Sequence, residues 1–241
     1  MALALPQPIE RPRSLTDIAS EAIRAAIVTG QIAMGEQVSE ALLATSLGLS
    51  KTPVREALLR LQNEGLVQVQ PQRGTFVFTL TEGELTHICE LRLALESGAV
   101  ILALERNQTA LVSGWAEIIS RMETALTLED PGPYLMLDSQ FHECLVECSG
   151  NRYFDDAYSR IASKVTTLRL KLGRDAFHMK KSFAEHKELL ALVRAGATDQ
   201  AQIVLRRHIA RKEGSYWEQL SSVPSGYLEG LAAVSRDEGA S

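Results

Sequence analysis

Cysteine is scarce in this chain. Cys89, Cys144 and Cys148 form an odd, uneven set of three, too few for a disulfide framework. No apolar run approaches the roughly 20 residues that cross a bilayer. The opening stretch, Met1 to Pro12, lacks the basic leader and the apolar length of a secretory signal, so a cytoplasmic location with no membrane partner is expected. Internal repeats are missing. So is an overall positive charge: 25 Lys and Arg stand against 30 Asp and Glu, a net −5. The distribution says more. Residues 1–79 carry seven basic and seven acidic side chains, leaving 18 against 23 in the remainder. Contact with nucleic acid must therefore come from a local basic face in the N-terminal part. What is present is a soluble, globular composition, 45% hydrophobic and 23% charged over 241 residues, enough for two domains.

The N-terminal part reads as three helices and a hairpin. Ser14, followed three residues later by Asp17, has the form of a helix N-cap with an acid in the first turn. Ile18, Ala22, Ile23, Ala26 and Ile27 recur at helical spacing and Gly30 ends the helix. Ser39 caps a second helix, Glu40 to Leu47, stopped by Gly48. Ser50 caps a third, Lys51 to Glu64, stopped by Gly65. Leu66–Gln70 and Thr75–Thr79 then alternate with period two about the turn Pro71-Gln-Arg-Gly74. Two short helices joined by a tight turn and followed by a basic-tipped hairpin predict a winged helix-turn-helix over residues 13–79.

Val54, Ala57, Leu58 and Leu61 share one face of the third helix, while Lys51, Thr52 and Arg55 lie near its N-terminus on the other side. A recognition helix enters the major groove by its N-terminal residues, so these three are the candidates for base edges and phosphates, with Arg55 suited to a bidentate guanine contact. Arg73 at the hairpin tip can meet the minor groove or the backbone.

These segments resemble the winged helix of the GntR regulators. The resemblance rests on Ala22–Gly30, Gly35-Glu36, Ser39-Glu40, Leu49–Leu58, Leu61, Glu64–Val67 and Arg73–Val77. It implies operator contacts from Lys51, Thr52, Arg55 and the wing residues Gln72, Arg73 and Gly74. The chain departs from the pattern at Lys51, where the family usually has Arg, and at Ala41, where some members place a DNA-contacting Arg. An ammonium cannot reproduce a planar fork, so the preferred operator is expected to differ.

From Thr81 onward the helical period dominates. Thr81 and Glu84 form a capping box opening a helix to about Arg106. Further helices are predicted at about 109–128, 133–148, 151–172, 178–194 and 198–220, giving a mainly α chain whose residues 80–220 form an antiparallel all-α bundle. Residues 1–12 and 221–241 read as flexible tails.

Asp138 and His142 are four apart and share a helical face. His186 and His208 sit on two other predicted helices. One carboxylate and three imidazoles suit a divalent first-row ion, zinc foremost, with nickel, manganese and iron as options. A rival cluster of Cys144 and Cys148 with His142 is disfavoured, because Cys144 lies about 200° around the helix from His142. His87 has no partner at useful spacing.

This part resembles the FCD effector domain of the FadR subfamily. The resemblance rests on Glu90–Glu96, Asp138–His142, Gly150-Asn151, Glu185-His186 and His208. It implies metal ligation by Asp138, His142, His186 and His208, and a small carboxylate effector (a hydroxy, keto, sugar or dicarboxylic acid) held by the metal and an arginine. Arg92 is the choice for that arginine; an intrahelical pair with Glu96, four residues on, is the equal alternative. The function expected is a homodimeric regulator, a repressor foremost, that reads a pseudo-palindromic operator in double-stranded DNA. A metalloregulator sensing the ion itself and a metal-dependent hydrolase are the rivals.

Overall fold

Ser14 and Thr81 open the two halves of the chain with the same device. Each side chain accepts from the backbone N–H three residues on, and the cap's own backbone N–H donates in return to the acid there, Asp17 and Glu84. The computed structural model describes residues 13–210. The tails and the predicted helical residues 211–220 lie outside the described residues.

The N-terminal half contains α1 (Leu15–Val28), α2 (Glu40–Leu47) and α3 (Lys51–Asn63) with three strands, β1 (Gln37–Val38), β2 (Val67–Gln70) and β3 (Gly74–Val77). β2 and β3 are the predicted hairpin, paired antiparallel from Val67 opposite Val77 to Gln70 opposite Gly74. The short β1 was not expected from the sequence. It pairs with the other edge of β3, giving the order β1-β3-β2. Two residues are too few to show alternation, and only the exposed edge of β3 turns Gln37-Val38 into a strand. Gln37 then pins the wing tip, its Nε2 donating to the Arg73 carbonyl at 2.8 Å. At that tip Gln72 has a left-handed backbone, φ 63°.

Six helices follow among the described residues: α4 (Glu82–Arg106), α5 (Gln108–Ala125), α6 (Gly132–Cys148), α7 (Arg152–Leu172), α8 (Ala176–Arg194) and α9 (Thr198–Ile209). Their starts and ends fall within a few residues of the predicted boundaries up to Ile209. Trp115 on α5 is wholly buried, stacked on Phe141 of α6 with ring centroids 4.1 Å apart, and its Nε1 donates to the Phe141 carbonyl at 2.8 Å. That contact fixes α5 against α6, the helix carrying Asp138 and His142.

The halves meet along α7. Lys164 of α7 lies over the Phe78 ring at 5.8 Å, just beyond the wing. Further along, Leu170 and Lys171 face Ile27 and Val28 of α1 across a cleft of about 600 Å³. No helix among the described residues is long and apolar enough to cross a membrane.

Candidate functional site

α6 brings Asp138 and His142 to one face, as their spacing requires. α8 supplies His186 and α9 supplies His208. The four ligand atoms lie within 4.8 Å of one another. His142 Nε2 is 3.1 Å and His186 Nε2 is 3.2 Å from His208 Nε2, and His186 Nε2 is 3.2 Å from Asp138 Oδ1. Ligands at about 2.0–2.1 Å from a common ion are separated by about 2.9–3.4 Å at adjacent corners of an octahedron or tetrahedron. The three separations match, and the donor set, three imidazole nitrogens and a carboxylate oxygen, fits a divalent first-row ion.

The far sides of the ligands are held as well. Glu96 of α4 places Oε2 2.5 Å from His142 Nδ1, and Glu185 of α8 places Oε2 2.9 Å from His208 Nδ1. A carboxylate on Nδ1 fixes the tautomer and turns the Nε2 lone pair toward the centre. Ser182 donates to Asp138 Oδ1 at 3.0 Å, and Arg169 of α7 forms an ion pair with Asp138 Oδ2. His186 is different: its Nδ1 is buried without a hydrogen-bond partner, and its ring lies 4.1 Å from that of Phe141. No carboxylate backs its Nδ1; on that far side the imidazole is held by packing.

Burial pushes the His142 imidazole far below its usual range, with Arg92 and Arg169 adding to the effect. Burial likewise lowers His186 to about 3, helped by His208. Both rings are therefore neutral, the form that ligates a metal. Burial by itself would raise the Asp138 carboxyl, but Arg169 and the neighbours His186, His142 and His208 together outweigh it and hold the group well below its usual range. Burial raises Glu96, against the pull of Arg92.

Arg92 is buried and its Nε donates to Glu96 Oε1 at 3.0 Å, so the intrahelical pair is formed, one hydrogen bond behind His142. Arg169, Glu96, Glu185 and Ser182 were not singled out as site residues from the sequence. Arg169 had little signal: it is one of two cations, with Lys171, in the stretch from Val165 to Leu172. Glu185 and Glu96 had a signal in their spacing from His186 and Arg92. Cys144 and Cys148 contribute nothing to the cluster. Both pack against the core, and a Cβ built on Gly114 of α5 would lie 2.8 Å from Cys144 Sγ.

In the winged helix, Val54, Ala57, Leu58 and Leu61 are buried, and Lys51, Thr52, Arg55, Gln72, Arg73 and Gly74 are all exposed. Ser50 has the extended backbone of an N-cap, but its hydroxyl does not close on the first turn of α3 as Ser39 does on α2. Arg55 is engaged by Glu40, the first residue of α2.

A winged helix joined to a helical domain with a buried carboxylate–imidazole cluster defines a ligand-responsive DNA-binding regulator. Residues 15–77 match the family described as bacterial regulatory proteins, gntR family, and residues 87–211 match the FCD domain. The chain belongs to the GntR family and carries an FCD domain. It is 31% identical over 192 residues to an HTH-type transcriptional regulator in an unstable DNA locus of Streptomyces ambofaciens, covering 78% of each chain. It is 26% identical over 238 residues to the HTH-type transcriptional repressor NanR of Klebsiella aerogenes, covering 89% of each. A crystal structure of a GntR transcriptional regulator from Rhodococcus sp. RHA1 shares the fold, with a TM-score of 0.75 at 21% identity over 88% of this chain and 99% of that one. The chain is a transcription regulator and not an enzyme.

Proposed function

We propose that the protein is a repressor of the FadR subfamily, acting as a homodimer on a pseudo-palindromic operator. Residues 13–79 bind the operator, and residues 80–220 bind a divalent metal, zinc foremost, and a small carboxylate effector. The observation that carries the effector half is the convergence of His142, His186, His208 and Asp138, two of the imidazoles backed by carboxylates. When bound, the ion supplies a Lewis-acidic position for a carboxylate oxygen.

Charge supports an anionic effector. Glu96, Asp138, Glu185 and Glu188 stand against Arg92, Arg169 and Arg207, whose Nε donates to Glu185 at 3.2 Å and whose Nη2 donates to Glu188 at 2.6 Å, one negative charge in excess. Adding a divalent cation leaves the site positive, which favours an acid over a neutral ligand. Arg92 and Arg169 are the two buried arginines of this cluster, and they attract and orient the effector carboxylate.

On DNA, Lys51 and Thr52 sit where the α3 N-terminus meets the groove, and the uncapped first turn offers its N–H groups to a phosphate. Arg55 reads a base, while Gln72, Arg73 and Gly74 form the wing contact. α7 links the sites: Arg169 faces Asp138, and Lys164 packs on Phe78. An effector that draws Arg169 from Asp138 shifts α7 against the winged helix and lowers operator affinity, by about 1–3 kcal/mol for typical coupling.

The test is metal analysis of purified protein followed by a thermal-shift screen of small carboxylates with and without chelator. A true effector raises the Tm by mass action and releases operator DNA, and both responses vanish on chelation. Metal-free protein that responds equally well to an acid would refute the metal half. A protein with resident metal that responds to no acid would refute the effector half.

A further inference from the structure

Glu40 and Arg55 come from different helices and meet side by side on the exposed face of the winged helix. Glu40 Oε1 lies 3.1 Å from Arg55 Nε, and Oε2 lies 3.2 Å from Nε and 3.0 Å from Nη2. The carboxylate thus grips one edge of the guanidinium. Both side chains are open to solvent, 63% exposed for Arg55 and 36% for Glu40, and an exposed pair of this kind adds little to stability. A carboxylate on a surface that approaches the phosphate backbone also opposes binding. Stability and affinity for the duplex therefore both fail to explain it.

We propose that Glu40 is a positioning residue for base reading, holding the Nε/Nη2 edge of Arg55 so that the remaining Nη1/Nη2 edge faces a guanine. The proposal rests on the reading of Arg55 as a base contact and adds a specificity role for a residue on α2. Guanine presents two acceptors in the major groove, O6 and N7, and a guanidinium edge matches them with two parallel N–H groups. An unheld arginine turns about four side-chain torsions and reaches phosphates as readily as bases. The Glu40 grip removes that freedom, and its negative charge disfavours the rotamers that carry Arg55 toward a phosphate. Glu40 has a fixed base for this work. It opens α2, whose N-terminus favours an acid, and Ser39 caps the same turn, its Oγ accepting from Leu42 N at 3.4 Å.

Selection of bound sequences from random duplex DNA tests this, using the full chain as wild type, Arg55→Ala, Glu40→Ala, Glu40→Gln and the double variant Glu40→Ala/Arg55→Ala. Arg55→Ala should erase the preference for one guanine in each half-site, about 10–100-fold. Glu40→Ala should weaken the preference at that same guanine several-fold while leaving non-specific affinity equal or higher, and the double variant should be no worse than Arg55→Ala. Glu40→Gln keeps one acceptor and should recover part of the preference. It also carries the test should Glu40→Ala not fold. An unchanged guanine preference without the Glu40 carboxylate overturns the proposal. Loss of preference at a cytosine instead overturns it too, because Glu40 would then be reading a base itself. If Arg55→Ala leaves the selected sequence unchanged, the assignment of Arg55 as a reader falls and takes the role of Glu40 with it.

Discussion

Glu96 Oε2 stands 2.5 Å from His142 Nδ1, with both side chains fully buried. The pair joins α4 to α6 and leaves the His142 Nε2 lone pair aimed at the centre of the cluster. Replacing Glu96 with Gln keeps the shape and removes the carboxylate. Metal affinity should fall about 10–100-fold, read by competition with a chromogenic chelator, while far-UV circular dichroism stays unchanged. Unaltered affinity would mean that Glu96 serves Arg92 alone.

Asp138 is both a candidate ligand and the carboxylate that Arg169 faces in the interior, with 6% and 2% of their side chains exposed. Asp138→Ala breaks a buried pair, which typically costs about 3–5 kcal/mol. Urea unfolding in excess chelator isolates this from metal loss. The variant should be less stable than wild type there as well as in metal-loaded buffer. Equal stability under chelation would leave metal ligation as the sole role of Asp138.

Trp115 fills the α5–α6 contact, and Phe141 beneath it packs on His186. Trp115→Ala should lose about 3–5 kcal/mol. Trp115→Phe keeps most of the stacking and loses the indole hydrogen bond, about 1 kcal/mol. If packing orients His186, Phe141→Leu should weaken metal binding more than Trp115→Phe does. Calorimetric titration with the metal alone checks the order.

Lys51 and Arg73 are exposed cations assigned to the DNA face. If each meets a phosphate, alanine at either position should weaken all sequences alike and reduce the slope of log affinity against log salt by about 1. A change confined to one base position would make the residue a reader instead.

Gly65, between α3 and β2, has a φ of +70°, and a Cβ built there would lie 2.6 Å from Lys164 Nζ. Gly65→Ala should cost about 1–2 kcal/mol for the left-handed backbone and displace a flexible side chain that packs on Phe78. Thermal unfolding measures the cost. Adding Lys164→Ala should relieve only the steric part.

The elements were legible because their causes are local. Ser14 with Asp17 and Thr81 with Glu84 cap helices by contacts three residues long, and alternation in Val67–Gln70 defines its strand without reference to the rest of the chain. β1 was not legible, since Gln37-Val38 becomes a strand only by pairing with β3. At the helical cluster, the i,i+4 spacing of Asp138 and His142 put both on one face of α6. The spacing from His142 to His186 and His208 says nothing of distance, and the resemblance to FCD domains supplied what the pattern lacked. Arg92 was read as either an effector contact or a partner of Glu96. The pair is formed, and the effector contact stands as part of the proposed function.

By itself the sequence determined the order of helices, turns and hairpin, the exposed face of α3, and which residue types could ligate a metal. These follow from backbone periodicity, capping and composition, all properties of neighbouring residues. Only the tertiary structure decided that four helices bring Glu96, His142, His186 and His208 together, that Arg169 takes the second oxygen of Asp138, and that Glu40 grips Arg55. Those contacts join residues 15 to more than 60 positions apart. They depend on how helices pack against one another, which is fixed by the shape of the shared core and not by any one segment.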